Sequence, residues 1–351
     1  MRRLRVVLSF GFVFALVLAV DYGVNHNNTL LNAQQKQNSR PLSPARIDRY
    51  IERNLPDSVK SYQLQSGGLT RHFMVHQPKN LGAKAPVVIL LHGGGGSMRR
   101  NFIFPTTAQW LTLADQHGFL LISPNGVSPK TGDTDGNQQT WNGLRPGKDR
   151  RRSSADDVSF IESVIDWAAQ NHNIDRDRVY VTGASNGGEL VFRLLIERPT
   201  LFAAGVANIA SLPAIEVPRP EQGTPIMMIN GTEDPLMPWE GGPVRGVAEP
   251  VRPIPETVEY WIEVNNADRE AAVTTELPDR APNDGCRITA TAYPQEPNGK
   301  PVVLFYVMEG GGHSTPFPRE APMPRRMREL LGNLCEDVDG TALAWDFMEE
   351  Y

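Results

Sequence analysis

Residues Gly183-Ala-Ser-Asn-Gly187 fit the pattern G-x-S-x-G, a serine held between two glycines. So short a pattern also arises by chance, so its meaning rests on its neighbours. Arg178–Thr182 before it reads as a strand, and Asn186–Arg198 after it reads as a helix stopped by Pro199. A sharp strand-to-helix turn strains the backbone at the serine and brings helix and strand close. Gly183 and Gly187 remove the Cβ atoms that would collide there. The helix begins at about Asn186, so its positive end faces Ser185 and favours an oxyanion formed in acyl transfer.

A serine hydroxyl needs a base. Of seven histidines, His26 lies in a polar N-terminal stretch, His72 and His76 on an early strand, and His117 and His172 near helix C-termini. Only His92 and His313 follow apolar strands at their carboxyl ends. His92 opens His92-Gly-Gly-Gly-Gly96, whose free N–H groups suit a developing oxyanion. His313, in Gly310-Gly-Gly-His313 after the last apolar strand, has the place of the base in the order serine, acid, histidine. The acid is expected in Asn230-Gly-Thr-Glu-Asp-Pro235, as Asp234 or Glu233. Asp156 and Asp157 precede the serine and head a helix, which reads as capping or a structural ion pair.

These residues require a frame. Ala85–Leu91 is a continuous apolar run, the mark of a strand buried on both faces. Leu69–Gln77, Phe119–Ile122, Phe202–Ile209, Pro225–Asn230 and Val302–Met308 also read as strands. Helices are expected over Gln109–His117, from a cap at Ser154 or Asp156, and over Pro255–Val264, Met323–Leu334 and Thr341–Phe347. This alternation implies an α/β fold with a mainly parallel central sheet and helices on both faces. Ligands bind such sheets at the carboxyl ends of the strands. The loops Ser123–Arg152 and Pro235–Pro255 follow strands and overhang that end.

The 351 residues, 40% hydrophobic with a net charge of -5, suffice for a sizeable core and give no basic field for nucleic acid. Arg2, Arg3 and Arg5 precede an apolar run, Val6–Val20, of signal-peptide length. Residues 1–24 are therefore read as a cleaved signal, or else a retained membrane anchor, and 25–45 as a solvated tether. One catalytic domain is expected over 46–351, exported to the periplasm or outside the cell. In that compartment Cys286 and Cys335 are read as a disulfide, the alternative being two buried thiols. There is no CxxC, no HExxH and no phosphate loop, so neither metal nor organic cofactor is expected. The basic run Lys148–Arg152 reads as solvated surface.

With Leu91-His-Gly-Gly-Gly-Gly-Ser97, Pro124-Asn-Gly126, Trp141-Asn142, Asp156-Asp-Val-Ser-Phe160, Val179–Gly188, Asn230–Pro238 and Gly310–His313 in this order, the chain resembles a known group. It is similar to polyhydroxybutyrate depolymerase-like esterases and to feruloyl and acetylxylan esterases of carbohydrate esterase family 1, of the α/β-hydrolase fold. The resemblance implies Ser185 as nucleophile, His313 as base and Asp234 rather than Glu233 as its orienter, because the family acid directly precedes proline. It implies the Asn186 and Gly94 N–H groups as oxyanion donors and an ester substrate, polymeric or small. The group often carries an aromatic residue and Pro-Gly soon after the base; here the run is His313-Ser-Thr-Pro-Phe317, so substrate identity is not carried over. His92, Trp141 and Trp239 are the candidate pocket residues, each tryptophan being equally a packing residue. A peptidase or acyltransferase with the same triad, or a silent polymer-binding module on the same scaffold, is the alternative function.

Overall fold

The computed structural model describes residues 44–145, 152–244, 249–319 and 325–351. The expected signal or anchor and nearly all of the tether lie outside the described residues. The one correction at that boundary is a helix, Pro44–Asn54, that begins inside the stretch expected to be tether. Proline suits its first turn, and Ile51 is fully buried beneath it. Its Asp48 accepts from Asn137 Nδ2 at 2.9 Å and its Glu52 pairs with Arg99 at 3.0 Å, so it docks on the segments after Pro124 and after Leu91.

Ten strands form one sheet: β1 (Val59–Ser66), β2 (Leu69–His76), β3 (Ala85–Leu91), β4 (Leu120–Pro124), β5 (Ile174–Ala184), β6 (Ala204–Asn208), β7 (Ile226–Gly231), β8 (Val273–Glu276), β9 (Arg287–Pro294) and β10 (Pro301–Glu309). Their spatial order is β1-β2-β4-β3-β5-β6-β7-β10-β9-β8. β4, β3, β5, β6, β7 and β10 run parallel, while β1, β2 and β9, β8 flank them antiparallel. This is the α/β-hydrolase fold.

The unbroken apolar run of β3 has a simple cause. Val87, Ile89 and Leu91 point into one core with Val164, Phe192 and Trp261, from helices Asp157–Asn171, Asn186–Glu197 and Ile254–Val264. Val88 and Leu90 point into a second core with Trp110 and Trp345, from helices Pro105–His117 and Gly340–Met348. Each residue loses its apolar surface to one side or the other, so no polar residue is tolerated between them.

β1, β8 and β9 lie outside the elements expected from sequence. β8 is exposed along all four residues, and β1 is mostly exposed, so neither has a hydrophobic face to reveal it. The Cys286 and Cys335 sulfurs are joined, with Cα atoms 5.3 Å apart and both residues buried. Among the described residues no helix is long and apolar enough to cross a membrane.

Candidate active site

Ser185 follows the last residue of β5 and has φ 55° and ψ -120°. For a residue with a Cβ this positive φ is uncommon and strained. The strain is held by the neighbours. Ser185 N–H donates to Asn208 O at 2.9 Å, and its carbonyl accepts from Glu189 N–H at 2.9 Å. A Cβ at Gly183 would lie 2.6 Å from Gly187 C, and one at Gly187 would lie 2.7 Å from both Leu91 O and His92 O. Any side chain at either position would push the helix off the sheet.

β3 pairs with β5 so that Leu91 faces Gly183, which brings His92 and its glycines beside Ser185. Asn186 is the first helical residue, so its N–H has no acceptor within the helix. Among the described residues Gly94 N–H also has no hydrogen-bond partner, whereas Gly95 and Gly96 N–H are bound to Gln139 O and Gly93 O. A Cβ at Gly94 would stand 3.4 Å from the Asn186 Cβ, so the two candidate donors are neighbours.

β7 pairs with β10 through Gly231 and Met308, which sets the turns after both strands side by side. His313 Nδ1 lies 2.6 Å from Asp234 Oδ2. Asp234 Oδ1 accepts from Leu236 and Met237 N–H, each at 2.7 Å. The acid is thus fixed by two backbone donors, and both side chains are nearly dry. Glu233 is exposed; among the described residues its backbone N–H donates to Gly311 O and its side chain makes no hydrogen bond. His313 N–H donates to Leu331 O at 2.5 Å and Gly312 N–H to Asn333 O at 2.8 Å, so the segment just before Cys335 cradles the histidine loop. Among the described residues no hydrogen bond reaches Ser185 Oγ; in uncomplexed hydrolases this contact is commonly long and tightens with substrate.

"Putative esterase NocK" of Nocardia uniformis subsp. tsuyamanensis is 30% identical over 267 residues, 71% of this chain and 72% of that protein. The chain belongs to the polyhydroxyalkanoate depolymerase-like and carbohydrate esterase family 1-type esterases of the α/β-hydrolase superfamily. It is a carboxylic ester hydrolase. The poly(3-hydroxyalkanoate) depolymerase C of Paucimonas lemoignei is 27% identical over 69% of this chain and 58% of its own length. A bifunctional acetylxylan esterase/xylanase of Neocallimastix patriciarum is 24% identical over 73% of this chain but only 33% of its own length. The prolyl oligopeptidase family matches residues 149–215, a short part of the chain that includes Ser185. An acetyl xylan esterase from Aspergillus awamori, at 16% identity, overlays 74% of this chain and 95% of its own with a TM-score of 0.48.

Two of this esterase's candidate pocket residues take other roles. His92 is buried, its Nδ1 lies 2.8 Å from Gly93 O and its Nε2 accepts from Gly126 N–H at 3.1 Å. Burial pushes its pKa down to about 4, so the ring is neutral and ties the glycine run to the Asn125 loop. Trp141 is fully buried; its indole donates to His92 O at 2.8 Å, so it packs beneath the site. Trp239 is partly exposed and stacks on Phe305 at 6.1 Å. Asp156 caps its helix through Ser159 N–H. Asp157 forms a buried ion pair with Arg71 at 2.6 Å and accepts from Asn142 N–H at 2.7 Å, which holds the long loop.

Arg152 corrects the reading of the basic run as solvated. It pairs with buried Glu189 at 2.7 Å, as does Arg145 at 2.5 Å. The rest of that run lies outside the described residues. Sequence reasoning misses Glu189, although one signal is present: an acid at the head of a helix that is otherwise apolar through Leu190, Val191, Phe192, Leu194, Leu195 and Ile196.

Proposed function

We propose that Ser185, His313 and Asp234 are the nucleophile, base and orienting acid of ester hydrolysis. Ser185 Oγ attacks the ester carbonyl as His313 Nε2 takes its proton. Asp234 holds the Nδ1–H tautomer and stabilises the imidazolium that forms. The oxyanion binds the Asn186 and Gly94 N–H groups. His313 returns the proton to the leaving alcohol, and water then frees the acid from the acyl-enzyme. The observation that carries this reading is the strained φ of Ser185 at the turn after β5, with a dry His313–Asp234 pair after β10 and β7 of the same sheet.

The substrates proposed are polyhydroxyalkanoate-type esters or feruloyl and acetyl esters of polysaccharides, the classes named for the depolymerase and acetylxylan esterase relatives. Residues 46–351 are proposed as the single catalytic domain. Export, by a cleaved signal or with a retained anchor, rests on Arg2, Arg3 and Arg5 ahead of the apolar run Val6–Val20. The prolyl oligopeptidase match over the serine turn supports a second reading, a peptidase with the same residues.

The test is a side-by-side panel of acetyl, butyryl, feruloyl, 3-hydroxybutyrate-oligomer and peptide substrates with wild type and Ser185→Ala. Ester turnover lost in Ser185→Ala, with its fold intact by circular dichroism, is the expected result. Wild-type turnover in that variant would refute the assignment. Peptide cleavage exceeding every ester would favour the second reading.

A further inference from the structure

The two candidate oxyanion donors sit on different elements, Asn186 on the helix after β5 and Gly94 on the loop after β3. One short strap, residues 139–145, touches both. At its start, Gly95 N–H donates to Gln139 O at 2.7 Å and Gln139 N–H donates to Gly96 O at 2.9 Å. Two residues on, Trp141 N–H donates to Asn186 Oδ1 at 2.7 Å, and Asn186 Nδ2 donates to Trp141 O at 3.2 Å. The strap is thus a spacer between the glycine run and the helix start.

Asp157 holds the strap at Asn142 N–H, and Glu189, one turn into the helix, ties it to the donor residue Asn186. The strap passes directly over Glu189: a Cβ at Gly143 would lie 3.2 Å from the Glu189 Cβ. Beyond that crossing, Arg145 Nη2 donates to Glu189 Oε1 at 2.5 Å, and Arg152 Nη1 reaches Oε2 at 2.7 Å. Asn186 Nδ2 also donates to Glu189 Oε2 at 3.2 Å, so the carboxylate grips the donor residue and the strap at once. The Arg145 and Glu189 side chains are almost wholly buried. A buried ion cluster is an expensive way to fill space, because desolvation offsets much of the Coulomb attraction and an apolar side chain packs as well. Its geometry, however, is directional in a way that an apolar contact is not.

We propose that Glu189, with Arg145 and Arg152, is a positioning residue of the oxyanion site, anchoring the strap that sets the gap between the Asn186 and Gly94 N–H groups. The inference rests on the reading of those two groups as the oxyanion donors. Donors act only when they lie about 2.7–3.1 Å from the oxyanion, so a loosened strap weakens the transition state more than the substrate complex.

The test is Glu189→Gln in the full chain, assayed with p-nitrophenyl acetate and with a trifluoromethyl ketone that forms a hemiketal on serine. Since a misplacement of about 1 Å can cost about 100-fold, kcat is expected to fall by roughly 10- to 100-fold with KM changed by less than about twofold. The ketone is expected to bind more weakly by the same factor as kcat/KM falls. Wild-type kcat, or a lower kcat with unchanged ketone affinity, would overturn the proposal. Glu189→Gln leaves Arg145 buried without its carboxylate, so the charge-paired Glu189→Gln/Arg145→Gln variant is measured beside it. Its melting temperature is expected to recover while kcat stays low; wild-type kcat in the folded double variant would overturn the proposal. Ser185→Ala in the same series separates the two failures: an active Ser185→Ala sinks the site reading itself, whereas an inactive one with wild-type Glu189→Gln sinks only the role of Glu189.

Discussion

Asp234→Asn tests the proposed site through a single proton. Asp234 Oδ1 accepts two backbone N–H groups, from Leu236 and Met237, while Oδ2 faces His313 Nδ1. An asparagine must keep its oxygen on those two donors, because the flipped amide would set its NH2 against both of them. Its NH2 therefore faces His313 Nδ1, which must now accept. The imidazole proton moves to Nε2, the atom required to take the Ser185 proton, so the base is blocked in an unchanged fold. In a serine hydrolase this wrong tautomer costs about 10⁴-fold in kcat, which is about 5 kcal/mol of barrier. The assay is p-nitrophenyl acetate hydrolysis near neutral pH, normalised to active sites and accompanied by thermal melts. Glu233→Gln is the control: the residue is exposed and its side chain makes no hydrogen bond among the described residues, so its activity should stay within about twofold of wild type. Asp234→Asn keeping more than about a tenth of wild-type kcat would refute the tautomer argument. A larger loss in Glu233→Gln than in Asp234→Asn would move the acid to Glu233.

Two further outcomes follow from the same geometry. His92 has its folded pKa pushed down to about 4 by burial, below the 6.5 of an exposed histidine, so the unfolded chain takes the proton first. Its contribution is complete above about pH 6.5 and falls as pH drops towards 4, by up to about 3 kcal/mol. Urea unfolding across that range should show a shallower acid loss in His92→Gln than in wild type; equal slopes would count against a neutral buried His92. The Cys286–Cys335 bridge closes a loop of sequence separation 49, which stabilises the fold by about 4 kcal/mol in the chain-entropy view. Cys286→Ala/Cys335→Ala should therefore melt several degrees lower, and an unchanged melting temperature would argue that the bridge constrains little.

Much of the frame was legible in the sequence because burial on both faces leaves a local mark. Ala85–Leu91 reads as a strand and is β3 to the residue, and the helix capped by Asp156 runs Asp157–Asn171 as its apolar spacing requires. The flanking strands leave no such mark. β9 alternates only weakly with Thr and Ala, and β8 buries nothing, so their pairing comes from the sheet edge they extend. The helix Pro44–Asn54 was hidden by its polar composition; it is held by Ile51 and by the contacts of Asp48 and Glu52.

The candidate site divides in the same way. The order of Gly183–Gly187, Asp234 and His313, and the glycines around them, are properties of the chain alone, since strained turns and close approaches admit few residue types. The choice of Asp234 over Glu233, which the proline after it suggests, takes physical form only in the fold, where two N–H groups and His313 converge on one of two adjacent carboxylates. His92 and Trp141 look like pocket residues by position and prove to be buried supports, because side-chain direction at a loop is set by what packs against it. The grip of Glu189 on Arg145 and Arg152 spans about forty residues of chain and has no periodic pattern to announce it. Short-range patterns record which backbone each segment prefers, and long-range pairing of polar groups is decided only when the sheet brings the strand ends into one row.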